Sequence, residues 1–198
     1  MKPLHALIAI CTFGLLLSAS PAHADGFVSP SIGVDFGGNA GDTLRGAADN
    51  SNKINYGIAV GWMGAGVVGV EEDFSYAPNF FGSGGTFNKT RVATLMTNII
   101  VGAPIGGQHG GGVRPYASAG VGLINRNIEA LLAVNNFSSS DFGFDLGAGL
   151  MGYFADHIGL RADVRYFRNF QNTDANVIGL EAGHFAFYRG SIGVLFRF

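Results

Sequence analysis

The chain has 198 residues; 47% are hydrophobic, only 13% are charged, 32 are glycine, and the formal net charge is -2. An ordinary soluble domain carries about 25% charged residues and about 7% glycine. So few charges exclude a disordered chain, and the absence of a basic excess excludes a nucleic-acid binder. So much glycine excludes a helical bundle, because each interior helix glycine costs about 1 kcal/mol relative to alanine. What remains is one mostly β domain with unusually apolar surfaces.

The first 24 residues read as a cleaved leader. Lys2 is the positive n-region, Leu4 to Leu17 the apolar stretch, and Ala22-His23-Ala24 an A-x-A cleavage site. A transmembrane anchor is the competing reading, but the run falls short of about 20 residues and no stop-transfer charges follow. The single cysteine, Cys11, lies inside this leader, so the domain over 25–198 has no disulfide to stabilise it.

Downstream, eight segments alternate with period two, over 26–37, 53–64, 66–77, 91–103, 115–126, 141–153, 158–169 and 186–198. The second places Ile54, Tyr56, Ile58, Val60 and Trp62 on one face. The sixth places Phe142, Phe144, Leu146, Ala148 and Leu150 opposite Asp141, Gly143, Asp145, Gly147 and Gly149. Alternate strand residues point to opposite faces, so each segment has one apolar and one polar face. A soluble sandwich alternates in the same way, and three further features decide against it. Short connections near 64–66, 104–114 and 155–157 alternate with long polar ones near 38–52, 78–90, 127–140 and 170–185. Aromatics cluster at both ends of the apolar faces, with Trp62, Phe154, Phe196 and Phe198 toward the short turns, and Phe36, Tyr56, Phe74, Tyr76, Phe142, Tyr166 and Tyr188 toward the long loops. Two aromatic girdles are what a bilayer selects. Finally, the sequence ends inside an alternating strand whose apolar row is Tyr188, Ile192, Val194, Phe196 and Phe198. In lipid every backbone group must be paired, so a strand-built protein closes on itself. The expected fold is an all-β, eight-stranded antiparallel up-and-down transmembrane barrel, just wide enough for side chains to fill it.

Strand parity then sorts the charges. Asp35, Glu71, Asp73, Asp141, Asp145 and Asp163 face inward, as do Lys53, Arg126, Arg161, Arg165, Arg189 and Arg197. Six acids against six bases fit a structural ion-pair plug, since an unpaired buried ion costs several kcal/mol and arginine can hold carboxylates bidentately. A selective pore lining is the alternative. The expected core of this lumen network is Glu71, Asp73, Asp145, Arg161, Asp163, Arg165 and Arg189. Glu72 breaks the pattern by taking the lipid-facing phase between Val70 and Phe74; a bulge could re-aim it, or it lies close to an interface.

Other motifs carry little chemistry. Gly147 to Gly152 spells G-x-G-x-x-G, but the period-two pattern continues on both sides, where a dinucleotide site would need a helix to begin. His109, His157 and His184 fall in turns or loops without metal-ligand spacing, so no metal, cofactor or catalytic residue is expected. Ile128 to Val134 interrupts the third long connection with helix-favouring residues and predicts a short loop helix.

The run from Gly69-Val70-Glu71 through Phe74-Ser75-Tyr76-Ala77-Pro78-Asn79-Phe80-Phe81, the Arg114-Pro115-Tyr116 triplet, and Gly159 to Arg168 (GLRADVRYFR) carry a family resemblance. Nearly end to end after the leader, the chain resembles the outer-membrane β-barrel proteins of the OmpA/OmpX type and the related opacity proteins of Gram-negative bacteria. The resemblance implies residence in outer-membrane lipid. It also implies that the terminal row of Tyr188, Ile192, Val194, Phe196 and Phe198 is an assembly signal read by the outer-membrane assembly machinery. It does not fix an activity, because such barrels serve as anchors, adhesins, conduits and enzymes. The expected role is non-enzymatic, structural or surface-interacting through four long loops. A small-solute conduit and a lipid-A-modifying enzyme are the alternatives.

Overall fold

Alternation of apolar and polar residues is resolved, in a computed structural model, into eight long antiparallel strands. The structure describes residues 24–39, 53–78, 87–106, 111–130, 137–170 and 186–198. The strands are β1 (Ala24–Asn39), β2 (Lys53–Gly64), β3 (Val68–Pro78), β4 (Phe87–Gly102), β5 (Gly112–Ala130), β6 (Phe137–Tyr153), β7 (Ile158–Asn169) and β8 (Ala186–Arg197). Each pairs with its sequence neighbours, and β1 pairs with β8, so the sheet closes into a barrel with no free edge. Closure satisfies the backbone in an environment that offers no water. Its last rung is a pair of hydrogen bonds exchanged between Gly26 and Phe198, at 3.1 and 3.0 Å. No described helix is long and apolar enough to cross a membrane; the strands are the spanning elements.

The short connections match the sequence expectation. Residues 65–67 turn between β2 and β3, with Ala65 and Gly66 at φ of 47° and 71°. Gly66 also lies against the Arg114 guanidinium, where a Cβ would sit 2.5 Å from Nη2. Phe154 donates its N–H to the Ile158 carbonyl across the β6–β7 turn. Between β4 and β5, Ile105 and Gly106 pair back onto Val113 and Gly112.

On the long-loop side one expectation fails. The helix predicted over Ile128 to Val134 does not form at its start: Ile128, Glu129 and Ala130 are strand residues, paired with Thr90, Lys89 and Phe87. A seven-residue segment is far too short to sustain a helix alone, since isolated helices under about 12–15 residues are marginal. Here the β4 ladder already pairs all three residues, and β6 pairs Ile128 from the other side. Residues 131–134 lie outside the described residues. β4, β5 and β6 accordingly run further toward the loop side than the alternation suggested, from Phe87, to Ala130 and from Phe137 respectively. β1 begins at Ala24, the last residue of the expected leader, and residues 1–23 lie outside the described set.

The outer face is the apolar one. Ile54, Ile99, Leu146, Leu160, Val164 and Ile192 are exposed, as they must be if lipid is the solvent. Toward the loop ends a run of aromatic contacts crosses four strands: Phe36 to Tyr188 (5.8 Å), Tyr188 to Tyr166 (5.1 Å), Tyr166 to Phe144 (6.3 Å), and Phe144 to Phe170 (5.4 Å). Amphipathic rings at that level are what an interface favours. Glu72 keeps its outward phase. Both ladders pass through it without a shift, with Val60 opposite on β2 and Thr97 on β4, so no bulge re-aims it.

Candidate functional site

The inward row of a strand is fixed by parity, and eight strands bring their inward rows to one axis. The seven residues expected in the lumen network are all buried, and the structure brings them together in two groups, one around Glu71 and one around Arg189. β7 is the hub. Its inward row of Arg161, Asp163 and Arg165 projects across the barrel, where Arg161 Nη1 and Arg165 Nη2 each donate to one oxygen of Glu71 on β3. Glu71 is 1% exposed, so both of its oxygens exchange water for guanidinium donors. Asp163 binds the same hub from the side. Its Oδ2 accepts Arg161 Nε at 3.0 Å and the Tyr116 hydroxyl at 2.8 Å, and its Oδ1 accepts the Ser191 hydroxyl at 2.8 Å. Arg165 Nη1 reaches Asp145 Oδ2 on β6 at 3.3 Å.

Arg165 stands directly opposite Arg189 in the β7–β8 ladder. Like charges at such a position repel. The two diverge: Arg165 turns toward Glu71 and Asp145, and Arg189 toward the loop side. There Arg189 Nε donates to Asp35 Oδ1 at 3.0 Å and Nη1 to Asp73 Oδ1 at 3.4 Å, while its guanidinium carbon lies 4.4 Å from the centre of the Phe167 ring. Asn55 adds a second donor to Asp35 at 2.9 Å. Three arginines thus hold five carboxylates, and every strand supplies at least one residue to the layer through Asp35, Asn55, Glu71, Thr94, Tyr116, Asp145, Asp163 and Arg189.

Glycine makes room for this packing on the inward face of β6. A Cβ at Gly149 would lie 2.7 Å from the Tyr116 hydroxyl and 2.7 Å from Asp163 Cβ, and one at Gly147 would lie 2.9 Å from Arg165 Cγ. Gly147 and Gly149 of the G-x-G-x-x-G run are therefore lumen glycines within β6, while Gly152 takes the outward phase opposite Val113 and Leu160.

Apolar layers flank the charged one. On the short-turn side Phe27, Met63, Ile100, Met151, Tyr153 and Leu195 cluster with Tyr116. On the loop side Val92, Met96, Ile124, Phe167 and Phe187 form a second cluster. A cavity of about 10 Å³, lined in part by Ser29, Asp73, Arg161, Asp163 and Ser191, lies between the Glu71 and Arg189 parts of the network. That is room for about one water, not a bore.

The sequence reading missed Arg114 and Asp25. Arg114 is buried at the short-turn mouth, donates to Asp25 at 3.1 Å and packs over the Tyr153 ring at 5.2 Å. The alternation starts β5 at Pro115 and β1 at Gly26, which places both residues in connections. Correct parity one step further would have found one more inward charge of each sign. It also missed the neutral partners Tyr116, Thr94, Asn55 and Ser191, for which inward parity alone was the available signal. Of the remaining expected inward bases, Arg197 donates to the Asp156 carbonyl at 2.7 Å and lies over Tyr153. Lys53 and Asp141 are also engaged. The side chain of Arg126 lies outside the described set. His157 is exposed in the β6–β7 turn, and His109 and His184 lie outside the described residues. Among the described residues no group of histidine, cysteine and carboxylates could hold a metal ion.

The terminal row lies on the lipid side. Tyr188, Ile192, Val194, Phe196 and Phe198 are all exposed on the outer face of β8 and the residue that follows it.

The sequence profile described as "outer membrane protein beta-barrel domain" matches residues 9–184. No curated relative matches the sequence. Among solved structures, the outer membrane protein OprG from Pseudomonas aeruginosa is 15% identical with a TM-score of 0.59, over 89% of this chain and 96% of that one. Neisserial surface protein A is 13% identical with a TM-score of 0.58, over 88% and 97%. Ail, the attachment invasion locus protein of Yersinia pestis, solved with the heparin analogue sucrose octasulfate, is 15% identical with a TM-score of 0.54, over 87% and 99%. At these identities the likeness is one of fold.

Proposed function

Because this chain belongs to the outer membrane protein β-barrel domain family and resides in the outer membrane, we propose that it is a non-enzymatic barrel, a rigid anchor that carries its loop segments on the cell surface. The observation that carries this reading is the filled lumen. A charged layer built from all eight strands lies between two apolar layers, and the described cavity holds about one water. Such an interior supports stability, and among the described residues its packing opposes passage of a solute. Function then falls to the segments joining the strands at the long-loop end, within 40–52, 79–86, 131–136 and 171–185. Loops on a rigid scaffold are where binding residues concentrate. The attachment protein Ail, of similar fold, is an instance of a barrel with a surface role. In this reading residues 1–24 are a cleaved leader, both ends of the mature chain face the periplasm, and the terminal row of β8 is the assembly signal.

The test replaces segments 40–52, 79–86 and 171–185 with short turns, one at a time and together. The variants are expected to refold and to run faster unheated than heated on SDS gels, as the parent does, while bacteria displaying them lose attachment to host-cell monolayers. Unchanged attachment with all three replaced, or release of small solutes from vesicles containing the parent, contradicts the proposal. The conduit reading has one point in its favour, the charges along the axis, and the second outcome would establish it.

A further inference from the structure

Arg91, Asn125, Ser140 and Arg168 make the outer face polar only at its loop end. Between the aromatic belts, Glu72 and Thr97 are the exception to an apolar outer face among the described residues. They stand opposite each other on β3 and β4, and Thr97 Oγ1 donates to Glu72 Oε1 at 2.7 Å. Around them the outward residues are Val60, Val70, Phe74, Leu95 and Ile99. Trp62, opposite Val70, marks the short-turn girdle one step away, and Phe74 begins the row toward the loops. The pair therefore lies between the two aromatic belts, where lipid tails offer no hydrogen bond. Thr97 supplies one donor to one oxygen. The other oxygen of Glu72 has no partner among the described residues.

A carboxyl group in hydrocarbon is held as the neutral acid. The acid is both donor and acceptor, which makes it complementary to itself. A two-fold contact places the same patch of one subunit against that patch of another. We infer that the β3–β4 outer face is the contact surface for a second copy of this chain, in which the two Glu72 acids hydrogen-bond to each other and each Thr97 orients its own Glu72. No cation or second residue type is required, because the pair of acids satisfies its own donors and acceptors. Val70, Leu95 and Ile99 form the apolar surround that excludes lipid from the contact.

The test uses the full barrel refolded into phosphatidylcholine–phosphatidylethanolamine vesicles at several protein-to-lipid ratios. Single cysteines are placed at Ile99 beside the pair and at Ile192 on β8 across the barrel, and a short bismaleimide links neighbouring copies. Linked dimers are expected from Ile99→Cys in excess over Ile192→Cys, increasing with protein-to-lipid ratio. Adding Glu72→Leu should weaken association roughly tenfold, as the loss of two hydrogen bonds in lipid would. Leucine suits a lipid-facing position, so this variant should still show the heat-modifiable mobility of a folded barrel. Glu72→Gln should retain the dimer, because an amide is also donor and acceptor. Equal linking at both positions, a monomer at every ratio, undiminished dimer in Glu72→Leu, or loss of dimer in Glu72→Gln would each overturn the inference.

Discussion

Glu71 accepts two guanidinium donors from β7 in an almost fully buried layer, and it is the carboxylate that reaches both arginines from across the barrel. Replacing both partners of a buried ion pair with apolar groups can be neutral, whereas removing one leaves an uncompensated charge. Glu71→Leu takes from Arg161 and Arg165 their shared acceptor across the barrel, leaving Arg161 only Asp163 and Arg165 only Asp145 and Asp163, and should cost about 3–5 kcal/mol of unfolding free energy. Asp163→Ala should cost less, because Glu71 still holds both arginines, and what is lost is the Arg161 Nε, Tyr116 and Ser191 bonds and a longer ion pair to Arg165 at 3.6 Å. Urea unfolding of the refolded protein in detergent, followed by tryptophan emission from the single Trp62, gives both values. An equal cost for the two would mean that Glu71 is not the centre of the layer. At this scale the sequence was readable wherever parity could be counted from a clear alternation. Asp145, Arg161 and Arg165 fell on the correct face for that reason. Arg114 and Asp25 did not, because strand ends are set by ladder pairing with a neighbour, and no local pattern records where that pairing stops.

The β1–β8 seam shows what one residue can do to an element. Its register is constant from Phe27 opposite Arg197 to Phe36 opposite Tyr188, yet pairing is interrupted at Ser29 and Pro30. Gly26 and Phe198 exchange both of their backbone bonds, so every second pair along the seam belongs to the same class. Pro30 opposite Val194 is one of them, and proline has no N–H to give. The Val194 carbonyl is left without its ladder donor on a lipid-facing seam, where a missing bond costs more than in water. Pro30→Ala restores the donor and surrenders only the stiffness that proline lends the unfolded chain, about 0.4–1 kcal/mol. The unfolding midpoint in urea should rise, by an amount equivalent to about 1 kcal/mol; a fall would show that the gap is set by something other than the missing N–H. The end of the same seam carries the terminal residue. Phe198 contributes one rung of backbone bonding and an exposed ring. Deleting it is expected to reduce insertion in cells severalfold while leaving refolding into detergent largely intact. Equal losses in the two assays would mark it as a packing residue and not a recognition signal.

For the whole molecule, the eight alternating segments and their unequal connections already implied a meander that closes, because a strand-built membrane protein has no other way to pair its edges. The segment over Ile128 to Ala130 shows where local reading fails: helix preference there is a few tenths of a kcal/mol per residue, and pairing along β4, with β6 on the far side of Ile128, outweighs it. What no sequence pattern could supply was the order of layers along the axis. Phe167 and Phe187 stack at 4.8 Å beyond Arg189, and Met63, Met151 and Tyr153 close the other mouth. The proposed plug rests on that order. Planar-bilayer recording of the refolded parent and of Asp163→Ala tests it most directly. A plug predicts a silent parent, and brief cation-selective openings in Asp163→Ala together with lower stability, since four carboxylates of the layer remain. Steady stepwise conductance by the parent, with Asp163→Ala changing ion selectivity and not stability, would contradict it and show that the charges line a pore.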